Sequence, residues 1–357
     1  GIHMQASNEE HFFSNKITFV SFISAIAVMF IHSENTVFYK NTLSFIPDIE
    51  YFISYSLGNL TVPTFFMMSS YLFFRNFHWT QLVNKYKRRI KSILFPYLIW
   101  NSLYFTIFYI VMFFPGIRSF MITEPIFVSP QVIIDAILFH KYNKIFWFMQ
   151  QLIYFIILSP VTYFLLQKKW SIILPFLFIL IGIYYPSVPV HPQGIQINMI
   201  VYWFLGCYFA IHKPALFEKK STKGTTLLSV FLCTILLISR FLLEFVIEST
   251  STLVGFSSLL LFFNIFFLWF ALNPFIPSST KWWMHISFYI YVTHPLLIDA
   301  FSKFYARFLP DSSFFCLTNY CFAIVFSFLF IIASAKILNK YFPKLWSILN
   351  GGRRLPL

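Results

Sequence analysis

The stretch FVSFISAIAVMFIHSEN, residues 19–35, is the first long apolar run of the chain, and it ends close to a histidine, His32. Only two serines, Ser21 and Ser24, interrupt the run before that histidine. A helix of ~20 apolar residues is long enough to cross the hydrocarbon core of a bilayer. The stretch therefore predicts a membrane-spanning helix with an ionisable side chain near its far end.

The rest of the chain has the same character. Of its 357 residues, 58% are hydrophobic, 51 are phenylalanine and only 11% are charged, against about a quarter charged in an ordinary soluble domain. A soluble fold of this length cannot cover so much apolar surface with polar groups. The composition predicts an all-α, multi-pass bundle of about ten membrane helices. The expected spans are 15–36, 52–74, 93–114, 145–166, 170–187, 195–212, 225–243, 252–272, 284–301 and 316–336.

The positive charges give the expected orientation. Most of the 26 Lys and Arg residues lie in alternate connecting segments, and such segments face the cytoplasm under the positive-inside rule. We therefore expect both termini in the cytoplasm. Cations divided among loops beside lipid also argue against nucleic-acid binding, in spite of a net charge of +14.

The expected organisation is a tail at 1–14, one membrane domain at 15–340 and a cytoplasmic tail at 341–357. The opening Gly-Ile-His-Met resembles a cloning scar. The four cysteines have no metal-ligand spacing, and we interpret them as small apolar residues in helices.

His32 and a second histidine, His294, are the ionisable groups placed deepest in predicted spans. His32 lies ~24 Å along its helix at 1.5 Å per residue, and His294 precedes Pro295 within the span 284–301. Ionisable groups at membrane depth usually face a bundle interior or a wet cavity, where a neutral imidazole can accept a proton. A structural role is the alternative for both histidines: each can instead bond a backbone carbonyl.

A dense group of cations precedes the third predicted span. The stretch NKYKRRIKSILFPYLIW, residues 84–100, has five cations in eight consecutive positions. Contact with anionic lipids explains such a group. Arg88, Arg89 and Lys91 also suit the binding of phosphates at a cytoplasmic opening. The phosphate loops of nucleotide-driven pumps and the GxSxG elbow of serine hydrolases are missing from the sequence.

Most of the acidic residues fall on the expected outer side. They are Glu34, Asp48, Glu50, Glu124, Asp135, Glu244, Glu248, Asp299 and Asp311. Acidic residues contribute little to orientation. This distribution indicates either a solvated outer surface or a polar outer cleft for a substrate rich in hydroxyl groups.

Five segments follow one another through nearly the whole chain: VPTFFMMSSYLFF (62–74), KRRIKSILFPYLIW (87–100), FWFMQQLIYFIILSPV (146–161), VYWFLGCYFA (201–210) and ISFYIYVTHPLLI (286–298). Together and in this order, they resemble the acyltransferase type 3 family of integral-membrane acyltransferases. In this family, a basic residue followed by ten residues and a histidine marks the first helix, and that histidine is taken as catalytic. His32 matches the histidine, whereas Ser21 stands at the basic position. Ser70 is a second departure, because the family usually has glycine after the serine that Ser69 matches.

The resemblance implies the transfer of an acyl group, commonly acetyl from acetyl-coenzyme A, to a hydroxyl group of a carbohydrate or lipid-linked glycan of the bacterial cell envelope. The expected location is the plasma membrane, with lipids and acyl-coenzyme A as partners and no metal. His32 is then the proton acceptor, with direct transfer and a transient acyl-histidine both open. Arg88, Arg89 and Lys91 are the expected donor-binding residues. The expected substrate or cavity residues are Glu34, Ser69, Tyr71, Trp147 and His294, although Glu34 points away from His32 on a regular helix.

Two other functions fit the same features. A transporter or flippase of an anionic or lipid-linked substrate also has buried histidines and a charged opening, although inverted halves are not visible in the sequence. A catalytically inactive membrane scaffold is consistent with the departure at Ser21. The sequence does not identify the acceptor or the oligomeric state.

Overall fold

A computed structural model describes residues 2–121, 124–184, 194–246, 251–353 and 355. Every regular element in these residues is helical. The α-helices are α1 (Ile2–Ser33), α2 (Ile46–Tyr51), α3 (Thr61–Phe74), α4 (Leu82–Arg89), α5 (Phe95–Val111), α6 (Pro115–Met121), α7 (Pro130–Ile137), α8 (Trp147–Ile157), α9 (Ser159–Leu165), α10 (Ile173–Tyr184), α11 (Ile197–His212), α12 (Pro214–Glu218), α13 (Lys223–Val246), α14 (Ser251–Ala271), α15 (Ser287–Phe308), α16 (Ser313–Tyr341) and α17 (Pro343–Leu349). Two π-helical segments, Phe52–Leu57 and Ile90–Leu94, precede α3 and α5.

Five helical stretches in the described residues are long and apolar enough to cross a membrane. They are Ser7–Phe38, Trp79–Val111, Lys223–Glu244, Gly255–Phe275 and Ser313–Tyr341. A sixth span results if α8 and α9 are joined across their 61° bend; Pro160 stands in the first turn of α9 at that bend. The count of about ten is therefore not confirmed. Two of the expected spans correspond to shorter apolar helices, Lys169–Ile183 and Ile197–His212.

The chain divides into two compact units. Unit 1 contains Gly1–Ser24, Tyr55–Leu82 and Tyr154–Met284. Within it, α3 packs on α11, α13 packs on α14, and α10 contacts both α11 and α14. Gly206 permits the close approach of α11 to α3, because a Cβ there would overlap the Met67 carbonyl oxygen. Ser70, the second departure from the family pattern, lies at this contact and donates its hydroxyl to the Trp203 carbonyl at 2.5 Å.

Unit 2 contains Ala25–Ser54, Val83–Ile153 and His285–Leu357. Its main contacts join α15 to α16, α5 to α7, and α17 to both α16 and α5. The Tyr104 hydroxyl on α5 donates to the Val292 carbonyl on α15 at 2.7 Å. The Tyr291 hydroxyl on α15 donates to the Ile145 carbonyl at 2.5 Å. These two bonds fix the middle of α15, which carries His294, against its neighbours.

Two cations and one acid lie deeper than their sequence positions indicate. Lys16, at the inner end of the first expected span, is fully buried and donates to Asn273 at 2.6 Å. Arg240, near the end of the expected span 225–243, is 2% exposed. Glu50 is also fully buried, so the acids of the expected outer side are not all on a solvated surface. The tail expected at 1–14 continues into the first span without a break in α1.

Candidate functional site

His32 lies in the last turn of α1. Neighbouring segments of unit 2 form hydrogen bonds with this turn. The Ser33 hydroxyl donates to the Tyr320 carbonyl on α16 at 2.7 Å. The Ser54 hydroxyl donates to the Phe30 carbonyl at 2.7 Å. Because its proton is used in that bond, Ser54 accepts from the Tyr320 hydroxyl, also at 2.7 Å. The last turn of α1 is therefore bonded to two other segments, to one through the Ser33 hydroxyl and to the other through the Ser54 hydroxyl.

The structure brings His32 and His294 together. The centres of their rings are 5.2 Å apart, and the ring planes are inclined at 47°. His294 is fully buried, whereas His32 is exposed. The His32 ring thus contacts a buried ring and also has accessible surface. The two histidines that the sequence singled out separately thus belong to one site.

His294 has one ring nitrogen engaged and one free. Its Nδ1 is 3.0 Å from the Ile290 carbonyl one turn earlier. A carbonyl oxygen only accepts, so Nδ1 carries the proton and Nε2 of the neutral ring carries a lone pair. Nε2 is buried and has no hydrogen-bond partner among the described residues. The structural role expected near Pro295 therefore accounts for one nitrogen only, and the other is available as a proton acceptor.

A buried acid lies close to the same end of α1. Glu50, on α2, accepts a long hydrogen bond from the Asn35 backbone N–H at 3.5 Å, and the Cys316 thiol is 3.9 Å from its carboxylate. The Asn35 amide completes the group by donating to the Cys316 carbonyl at 3.1 Å. Burial and the nearby charge of Glu34 raise the pKa of Glu50 to about 7.

Glu34 itself is half-buried and follows the last residue of α1. The expectation that Glu34 points away from His32 rested on a regular helix, which ends one residue earlier. The charge of Glu34 acts on Glu50 and contributes to the raised pKa of that carboxyl. The end of α1 therefore brings a histidine pair and two acids together, and of these four groups His32 is exposed and Glu34 is half-buried.

Trp147 is half-buried and is the first residue of α8.

A cavity of 160 Å³ lies between α5, α15 and α16. Its walls include Trp100, Tyr104, Tyr289 and Thr293. Thr293 adjoins His294 in the sequence, so this largely aromatic cavity lies beside the helix turn that carries the buried histidine.

The basic residues expected to bind the donor lie at the junction of α4 and α5, also in unit 2. Arg88 and Arg89 end α4, and Lys91 follows in the π-helical segment. Arg88 and Lys91 are exposed and Arg89 is half-buried. We call these three residues the basic cluster. Its two exposed members have cationic groups in reach of a ligand from solution.

Ser69 and Tyr71 belong to unit 1 and are not grouped with the residues of the histidine site. Tyr71 is fully buried and donates its hydroxyl to Glu218 at 2.5 Å; Glu218 also pairs with Arg75. Its ring stacks on Phe217 at 3.9 Å. Tyr71 thus has a structural environment in α3, and Ser69 is half-buried beside it.

Sequence reasoning did not identify Glu50 or Cys316 as site residues. Glu50 was one of several outer acids, and Cys316 was interpreted as an apolar helix residue. One signal was the position of Asn35 and Glu50, two polar residues that flank the first connection between predicted spans. Cys316 had no such signal, because its neighbours in the fold are remote in the chain.

The comparisons with known proteins agree with the five segments that resemble the family. The family model of type 3 acyltransferases, described as an acyltransferase domain, matches residues 16–337, which is nearly the whole chain. No curated protein and no solved structure matches the chain significantly. The chain belongs to the type 3 acyltransferase family.

Proposed function

We propose, from this family membership, that the protein moves an acetyl group from acetyl-coenzyme A to a hydroxyl group of a carbohydrate or related cell-envelope acceptor. The proposed location is a bacterial plasma membrane, with about ten spans and both termini in the cytoplasm. The observation that carries the proposal is the histidine pair: an exposed His32 stands 5.2 Å from a buried His294 that has a free ring nitrogen.

The proposed reaction uses His32 as the general base. The acceptor hydroxyl gives its proton to the His32 ring while its oxygen bonds to the thioester carbonyl carbon. The carbon–sulfur bond then breaks, and the coenzyme A thiolate takes the proton back from His32. General-base catalysis of this kind typically contributes ~10²–10⁴-fold to the rate.

His294 has the features of a partner for His32. Its tautomer is set by Ile290, which leaves Nε2 as an acceptor in a buried position. A neutral acceptor beside His32 would stabilise the imidazolium that forms during transfer, much as a third group orients the base in other nucleophilic sites. We therefore assign His294 as a positioning residue and His32 as the catalytic residue.

Donor binding is assigned to the basic cluster. Coenzyme A carries phosphates, and guanidinium groups form bidentate hydrogen bonds with phosphate oxygens. Replacing both Arg88 and Arg89 with Ala is expected to weaken the binding of coenzyme A by roughly 1.5–3 kcal/mol for each charge-assisted hydrogen bond that is removed. Unchanged affinity at low salt would reduce the cluster to a topology signal and lipid anchor.

The test of the histidine pair is thioester cleavage by the purified protein in detergent. Acetyl-coenzyme A is supplied with a set of methyl glycosides as acceptors, and release of the free thiol is measured. We expect His32→Gln to lower the rate by at least ~10²-fold with unchanged thermal stability. His78→Gln is the matched control, because His78 is exposed in unit 1 and should retain the wild-type rate.

The same assay distinguishes the alternatives. A transporter or flippase of an anionic or lipid-linked substrate releases no thiol in any variant, and an inactive scaffold likewise shows no turnover. A His32→Gln protein that works within about threefold of wild type would assign His32 a structural role at the helix end. His294→Gln is expected to lower the rate less than His32→Gln and to change its pH profile, because this variant removes only the partner of the base.

A further inference from the structure

The segment that follows α16 folds back onto the basic end of α5. We call residues 343–353 the tail segment; α17 forms most of it. Its Trp346 is buried, with its ring 5.0 Å from that of Tyr289. The Trp100 indole N–H on α5 donates to the Leu349 carbonyl at 2.8 Å. The tail segment is therefore a packed part of unit 2.

Arg353, at the end of this segment, is held in one position by the backbone and by one aromatic ring. Its Nη1 donates to the Ser92 carbonyl at 3.3 Å and to the Asn350 carbonyl at 3.0 Å. Its Cζ atom is 4.4 Å from the centre of the Phe288 ring on α15. Gly351 has a positive φ of 64°, which turns the chain so that the Arg353 side chain can return to α5.

The remaining donors of this guanidinium are available. Arg353 is half-buried, and of its side-chain nitrogens only Nη1 forms hydrogen bonds with described residues. No carboxylate of the described part of the chain lies within ion-pair distance of Arg353. Arg89, another cation, is the last residue of α4 and lies three residues before Ser92, whose carbonyl accepts from Arg353. Burial first, and then the charge of Arg89, lower the pKa of Arg353 to about 10, so it stays protonated at neutral pH.

The unused donors of Arg353, beside the chain segment that carries Arg89, suit a phosphate. An anion with several acceptor oxygens can accept hydrogen bonds from the Arg353 donors that no described residue uses. Arg353 is already fixed by the Ser92 and Asn350 carbonyls, so little side-chain freedom is lost on binding. Phosphate monoesters and diesters have the charge and geometry that this pair of cations requires.

The position of Arg353 also relates to the histidine pair. Phe288, on which the guanidinium lies, precedes His294 by six residues on α15, which is a rise of ~9 Å. The aromatic cavity is lined by Tyr289 and Thr293, both between those two positions. Arg353 and the histidine pair are thus connected through one helix, α15, whose residues between them also line the aromatic cavity.

We propose that Arg353 and Arg89 form a phosphate-binding site, and that the tail segment is thereby part of the donor site. The phosphate belongs either to coenzyme A or to an anionic lipid headgroup. Assignment to coenzyme A rests on the proposed acetyl transfer, whereas the phosphate site itself does not.

The test compares Arg353→Gln with Arg353→Lys and with Lys344→Gln in the purified full-length chain. Lys344 is the matched control, because it lies in the same tail segment and is exposed. Binding of coenzyme A and of 3′-dephospho-coenzyme A is measured by tryptophan fluorescence. Stabilisation by phosphatidylglycerol is measured against neutral lipid in nanodiscs, from the melting temperature.

If the bound phosphate belongs to coenzyme A, Arg353→Gln weakens coenzyme A binding at least about tenfold. Arg353→Lys then weakens it less, and Lys344→Gln leaves it within about twofold of wild type. If the phosphate belongs to a lipid, Arg353→Gln removes the stabilisation by phosphatidylglycerol and leaves coenzyme A binding unchanged. If Arg353→Gln is folded and changes neither ligand, the phosphate site is wrong. If the wild-type protein binds no coenzyme A, the proposed function fails and the lipid measurement alone decides the site.

Discussion

Glu50→Gln is expected to stabilise the protein at alkaline pH and to have little effect at acid pH. Glu50 is fully buried, and burial and the charge of Glu34 raise its pKa from the ordinary 4.5 to about 7. Between these two values the folded state binds more protons than the unfolded state. The free energy of unfolding therefore falls as the pH rises from 4.5 through 7 and is constant above.

The size of the effect follows from the two pKa values. A pKa that moves from 4.5 to about 7 corresponds to about 3 kcal/mol lost by the folded state once Glu50 is ionised. Glutamine retains an acceptor oxygen for the Asn35 N–H but carries no charge. Glu50→Gln should thus exceed wild type by up to about 3 kcal/mol at pH 8, and by less than about 1 kcal/mol at pH 5.

The assay is chemical unfolding in mixed micelles at pH 5 and pH 8, followed by tryptophan fluorescence. Asp48→Asn is the matched control, because Asp48 lies on the same helix, α2, and is exposed. This control should change the free energy of unfolding by less than about 0.5 kcal/mol at either pH. A Glu50→Gln protein that is no more stable than wild type at pH 8, or equally stabilised at both pH values, would refute the reasoning.

Three further predictions concern other parts of the chain. Gly206→Ala should lower the free energy of unfolding by about 1–3 kcal/mol, measured by the same unfolding assay, because the new Cβ would overlap the backbone of α3; an unchanged stability would contradict the close approach. In single-cysteine variants, a label near Lys220 should react only from the cytoplasmic side and one near Asp311 only from outside, and the reverse pattern would invert the topology. Trp100→Phe removes the hydrogen bond to Leu349 and should increase proteolysis of the tail segment, whereas equal cleavage rates would show that this bond does not hold it.

The helical membrane fold could be predicted from the sequence because a long apolar run is stable in lipid and not in water. The stretch around His32 indicated its helix, and the family pattern identified both histidines. The number of membrane spans was harder to predict. The sequence of a helix that is apolar on all faces, such as α10, does not show whether the helix crosses the membrane or only packs against other helices. Within the described residues, α10 and α11 belong to apolar helical stretches that are shorter than the five candidate spans.

Pairing between remote residues could not be predicted in the same way. His32 and His294 lie on helices from opposite ends of the chain, and neither local pattern specifies the other as a neighbour. Glu50 was expected at a surface because carboxylates usually are, yet contacts with Asn35 and Cys316 enclose it. Arg353 is near Ser92 and Phe288 only because the tail segment folds back. These contacts depend on packing between helices, which hydropathy does not encode.

The contacts that fix Arg353 determine which positions around the tail segment can be substituted during evolution. Ser92 and Asn350 hold the guanidinium through backbone carbonyls, so the side chain at position 92 can vary without loss of that hold. Gly351 cannot vary as freely, because it has a positive φ and a Cβ there would overlap Arg353 Nη1 and lie 3.0 Å from the Ser92 carbonyl oxygen. Among related sequences, an arginine matching position 353 should therefore occur together with a glycine two residues earlier, whatever residue stands at position 92.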